Sequence, residues 1–188
     1  NLMKNINIQI FITLCIFIPF LLVCIYCNPS ADDFIYAFRS QQTHLFELLL
    51  TDYLTWNGRY ISNILVFNNP IKYGDFTLYK LIPIGVVILL CTTFYYFLKQ
   101  VASIHFKAKN VLLASILISL YYINEMPSIS QGLYWYTATV TYQIGNILFL
   151  LYLALLYKFL NKNSTKTIKY LLGLISIQFL AIGCNELT

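Results

Sequence analysis

Residues 6–27 read INIQIFITLCIFIPFLLVCIYC, and Asn28-Pro29-Ser30-Ala31-Asp32-Asp33-Phe34 follows directly. An uncharged helix of that length reaches about 33 Å at 1.5 Å per residue, enough for a hydrocarbon core of about 30 Å. The Asn-Pro-Ser turn and the paired acids behind it mark where the chain leaves the apolar layer. A cleaved leader fits less well, because the apolar run is long and no small-x-small site follows it.

The same character runs through the chain. Its 188 residues are 59% hydrophobic and 10% charged, with a mean hydropathy of +0.69. A soluble domain is about a quarter charged, so this composition predicts an all-α, polytopic integral membrane protein. The formal net charge of +5 does not point to nucleic acid. The basic residues cluster in short segments between apolar runs, the pattern of topology signals. Five cysteines lie in or beside the apolar runs. Cys24 and Cys27 form a C-x-x-C without the second pair that a tetrahedral zinc site needs, so they read as small hydrophobic residues. The absence of an initial Met and the stop at Glu186-Leu187-Thr188 read as an excised piece of a longer chain.

The expected spans are residues 6–27, 81–98, 106–124, 141–159 and 168–184, about five in all, with outer loops at 28–78 and 125–138. Within the first loop, Asp32, Tyr36, Arg39 and Thr43 fall on one helical face opposite Phe34, Phe38 and Leu45. That predicts an amphipathic helix over 32–49 lying along the interface. A second helical piece is expected over 51–67, broken or bent near Gly58. The alternation of Thr137, Thr139 and Thr141 with Ala138 and Val140 fits either an extended strand or a polar helix start.

Alternating the sides sorts the charges. One side collects Lys4, Lys99, Lys107, Lys109, Lys158, Lys162, Lys166 and Lys169, and no acid. The other holds Arg39, Arg59, Lys72 and Lys80 with all seven acids. Lysine excess in short loops marks the cytoplasmic side, so the amino terminus is expected inside and the acidic, aromatic face outside. Residues 81–98, 111–123, 144–157 and 170–183 contain no Asp, Glu, Lys, Arg or His. Ion-coupled transporters usually carry such groups near the midplane. Their absence favours an enzyme or binding protein that works on an amphiphile at the outer boundary.

Candidate chemistry lies on that boundary. Asp32 or Asp33 is suited to accept a proton from an attacking hydroxyl, with the other capping the helix. Arg39 and Arg59 can hold a phosphate through paired hydrogen bonds. Trp56, Tyr60, Tyr134, Trp135 and Tyr136 offer faces for a sugar ring, or an interfacial aromatic belt. Glu125 and Glu186 are lone acids at the outer ends of the third and fifth spans and could converge with the aspartates on a polar pocket. A hard cation needs several oxygen ligands, so no metal ligand is assigned and a divalent cation stays open. His44 and His105 are isolated and receive no role.

Four short motifs occur in order: Asp32-Asp33-Phe34, Trp56-Asn57-Gly58-Arg59, Leu133-Tyr134-Trp135-Tyr136-Thr137-Ala138-Thr139-Val140-Thr141-Tyr142, and Gly183-Cys184-Asn185-Glu186. In this order they resemble the type-C (GT-C) glycosyltransferases, and most of all a bacterial group of uncharacterised multi-pass proteins akin to the O-antigen glucosyltransferases. The resemblance implies a catalytic aspartate at Asp32 or Asp33, a polyprenyl-phosphate sugar donor and a lipid-linked or cell-envelope glycan acceptor. It implies a bacterial inner membrane, and further spans beyond this piece that supply donor contacts. The competing expectations are a flippase for a lipid-linked glycan and a non-catalytic assembly subunit that binds membrane lipid or a partner.

Overall fold

A computed structural model describes residues 5–102, 106–161 and 167–185, and among them there are helices and turns but no strand. Lys4, Lys162, Lys166 and Glu186, to which the sequence reading gave a side or a role, lie outside the described residues, as does His105.

The first helix, α1 (Ile6–Val23), tightens into a 3-10 turn at Cys24–Tyr26. Three short helices follow: α2 (Ala31–Gln42), α3 (Leu45–Thr55) and α4 (Tyr60–Phe67). Then come α5 (Phe76–Ala102) and α6 (Ala108–Asn124). A short α7 (Tyr136–Ala138) runs through a π-helical turn at Thr139–Gln143 into α8 (Ile144–Asn161), and α9 (Thr167–Cys184) closes the described chain. α1 packs on α6, α6 on α5, α5 on α8 and α8 on α9, while α4 leans on α9. The shared core joins Phe17 of α1, Val86, Val87 and Leu90 of α5, Ile116, Leu120 and Ile123 of α6, Leu133 and Ile147.

Three helical segments are long and apolar enough to cross a bilayer: Ile6–Tyr26, Phe76–Ala102 and Tyr136–Asn161. α6 and the apolar part of α9, Ile168–Cys184, are shorter. At 1.5 Å per residue each reaches about 26 Å, just under the hydrocarbon thickness. Of the five expected spans, three therefore meet the length requirement. Outward-facing side chains agree with an apolar surround: Phe11 is 66% exposed and Ile168 73%. Such faces are compatible with a membrane protein, since in water they would form an apolar patch of unusual size.

The helices between α1 and α5 differ from expectation in their breaks. The helix expected over 32–49 stops at Gln42, because Thr43 turns extended (φ −133°, ψ 149°) and α3 starts anew at Leu45. That break lets α3 fold back so that Asp52 meets Arg39. The expected break near Gly58 is present, but Asn57 makes it. Its Oδ1 accepts from the Arg59 backbone N–H at 3.0 Å and from Asn63 Nδ2 at 3.1 Å. The threonine-rich stretch 137–141 is helical.

α9 docks on α4 through Gly183. A Cβ built there would come within 2.6 Å of Ile61 Cγ1 and closer still to the Tyr60 ring. Tyr60 is itself fastened to α9, its hydroxyl donating to the Phe179 carbonyl and its ring lying 4.8 Å from that of Phe179. Gly183→Ala is therefore expected to displace the Tyr60 ring and cost about 1–3 kcal/mol, the usual range for overpacking. Hydrogen exchange should speed up in α4 and the end of α9 before it does so in α5. Unchanged protection in α4 would count against this contact.

Candidate functional site

The acids of the first loop do different work. Both stand in the first turn of α2, where a negative charge suits the helix dipole. Asp33 is 0% exposed and turned inward. Its Oδ2 accepts from the Ser30 backbone N–H at 2.9 Å, one half of a capping box, and from the Tyr79 hydroxyl at 2.7 Å. Its Oδ1 accepts from the Thr137 backbone N–H at 3.1 Å and from the Thr137 hydroxyl at 2.6 Å. Four donors thus surround one buried carboxylate, and the pin joins α2, α5 and α7. Tyr136 adds a bond from its hydroxyl to the Leu65 carbonyl at 2.8 Å.

Asp32, one residue earlier, is half-buried and lines a cavity of about 220 Å³. Arg59, Trp56, Trp135, Tyr36 and Tyr142 line the same cavity. α2 supplies Asp32 and Tyr36, the α3–α4 turn supplies Trp56 and Arg59, and the segment around α7 supplies the rest. The Arg59 guanidinium lies 5.8 Å from the centre of the Tyr142 ring, a cation–π distance. Trp56 is 77% exposed. The buried indole N–H of Trp135 meets no acceptor among the described residues. Burial, then the carboxylates of Asp52 and Asp32, pushes the Tyr36 phenol above its ordinary value. It remains a neutral hydroxyl donor in the cavity wall.

Other candidates lie elsewhere. Arg39 forms a two-pronged pair with Asp52, Nη2 to Oδ1 at 2.6 Å and Nη1 to Oδ2 at 3.2 Å, and lies 5.2 Å from the Phe67 ring centre. Asp52 is nearly fully buried, so Arg39 serves as its counter-ion and clamps α2 to α3. Tyr60 is spent on α9, as described above. The Tyr134 hydroxyl donates to the Phe20 carbonyl at 3.0 Å and fixes the loop to α1. Glu125 is exposed at the end of α6 and lines a separate cleft that shares no residue with the Asp32 cavity. Among the described residues no three His, Cys, Asp or Glu side chains gather as a metal site, and Asp32 is the cavity's carboxylate.

Sequence reasoning missed Ser62 and Asn63, both buried and both in the cavity wall. The signal available was two polar residues inside the apolar run Ile61-Ser62-Asn63-Ile64, three and four residues past Arg59 and so on its helical face. Against known proteins, the chain matches no family model, no curated protein and no solved structure.

Proposed function

We propose that this chain is the amino-terminal part of an inner-membrane glycosyltransferase of the type-C kind. It moves a sugar from a polyprenyl-phosphate donor to a lipid-linked or cell-envelope glycan at the outer face. α6 and α9 cross the bilayer with the three longer helices, the amino terminus is cytoplasmic, and α2–α4 lie at the outer surface. The observation that carries this reading is one cavity holding a carboxylate, a guanidinium and several aromatic faces at the polar end of an apolar bundle.

Each part has a task in a direct displacement. The acceptor hydroxyl oxygen attacks the anomeric carbon, and Asp32 takes the hydroxyl proton. The bond from that carbon to the phosphate oxygen breaks, and polyprenyl phosphate leaves with the electron pair. Arg59 holds the phosphate and its growing charge. Trp56 and Trp135 present ring faces to the sugar, and the Trp135 indole N–H offers a bond to one of its oxygens. Asp33 holds α2 in place so that Asp32 points into the cavity. Positioning and charge stabilisation supply most of the acceleration.

The test is a transfer assay in membranes holding the full-length protein, given a polyprenyl-phosphate donor labelled in its sugar. Label is expected to pass to a larger lipid-linked or wall-bound glycan. Donor that crosses the membrane with its sugar bond intact would make the protein a flippase, and label that stays on the donor on its original side would leave only a binding role.

A further inference from the structure

The second cleft, about 500 Å³, opens between α5, α6 and the start of α8. Phe94, Ile118 and Tyr121 give it apolar walls within the helices, and Glu125, Gln143 and Asn146 give it a polar end. We propose that it holds a membrane lipid whose head group is uncharged and carries hydroxyls, such as a glycosyl diacylglycerol.

A directional chain of hydrogen bonds sets what the polar end can accept. Asn146 Nδ2 donates to the Tyr122 hydroxyl at 2.8 Å, and that hydroxyl donates to Gln143 Oε1 at 2.8 Å. Gln143 Nε2 is thereby left as the donor at the end of the chain. Gln143 is only 5% exposed, yet Nε2 reaches no better acceptor among the described residues than Met126 Sδ at 4.0 Å. A thioether is a weak acceptor, so a buried amide N–H is left nearly unsatisfied in the cleft wall. Asn146 has the opposite need. Asn146 is exposed, and its Oδ1 accepts from no described residue, in a helix apolar enough to cross a bilayer. A hydroxyl answers both, since it accepts from Gln143 and donates to Asn146, and lipid around the helix offers neither bond.

Charge narrows the head group further. Glu125 is the charged residue of the cleft lining, and no Lys or Arg joins it. A phosphate there would meet a carboxylate with no cation to offset it. The apolar walls take the start of an acyl chain, which commits the site to a lipid rather than a free sugar. The two cavities share no residue, so this proposal stands or falls apart from the glycosyltransferase reading.

The test is thermal unfolding of the full chain in detergent micelles with three probes: glucosyl dioleoylglycerol, dioleoylphosphatidylglycerol and free glucose. At a hundred-fold excess over its dissociation constant, the glucolipid should raise the melting temperature by roughly 5 °C or more, and the other two should leave it in place. Gln143→Leu should abolish the shift. Because Gln143 is buried, the exposed Glu125→Lys is the deciding variant, and it should turn the preference toward phosphatidylglycerol. Equal shifts from both lipids, an equal shift from glucose, or a Glu125→Lys chain that keeps the glucolipid preference would overturn the site.

Discussion

Asp33→Asn is expected to lower the melting temperature of the chain in detergent by about 10 °C, a loss on the order of 3–4 kcal/mol for a chain of this size. The reason is geometric. Each carboxylate oxygen accepts from a backbone N–H, Oδ2 from Ser30 and Oδ1 from Thr137. An asparagine amide places an NH2 where one of these oxygens was, so one backbone donor then faces another donor. The hydroxyls of Tyr79 and Thr137 can rotate to accept, but a peptide N–H cannot. The buried site also loses a charge that strengthened four hydrogen bonds. Tyr79→Phe removes one donor to Asp33 and also the acceptor of the Tyr136 backbone N–H at 3.3 Å, and should cost roughly half as much. A melting temperature for Asp33→Asn within about 2 °C of the parent would show that the network carries little of the fold's stability.

What could be read beforehand follows from the range of the interactions. The apolar runs were legible because a helix facing lipid needs side chains of one kind over some twenty positions, and no partner has to be known. The break at Thr43-His44 was not, since neither glycine nor proline marks it and the contact it permits, the Arg39–Asp52 pair, joins two helices. One acid was expected to cap, and that it is Asp33 could not be read, because its burial rests on Tyr79 and Thr137, 46 and 104 residues away in sequence. Gly183 and Asn57 stood inside motifs noted for their order. Their physical roles, a close helix approach and a side-chain-built turn, appear only once α4 is seen between them.

Asp32→Asn should leave the fold standing and remove the proposed reaction. Asp32 is absent from the network around Asp33 and half-exposed toward the cavity, so its amide isostere strands no buried donor. The melting temperature should stay within about 2 °C of the parent. Transfer of label from the polyprenyl-phosphate donor should fall about 10²–10⁴-fold, the range that a positioned base contributes. Donor affinity should change little, because Arg59 and the aromatic faces remain. Arg59→Gln should show the reverse emphasis, with weaker donor binding and a smaller loss of the bound rate. This pairing separates the readings that share the cavity. A flippase that uses it only to bind would lose transport with Arg59→Gln and keep it with Asp32→Asn. A base at Asp32 requires the Asp32→Asn protein, folded and donor-bound, to leave the sugar–phosphate bond uncut.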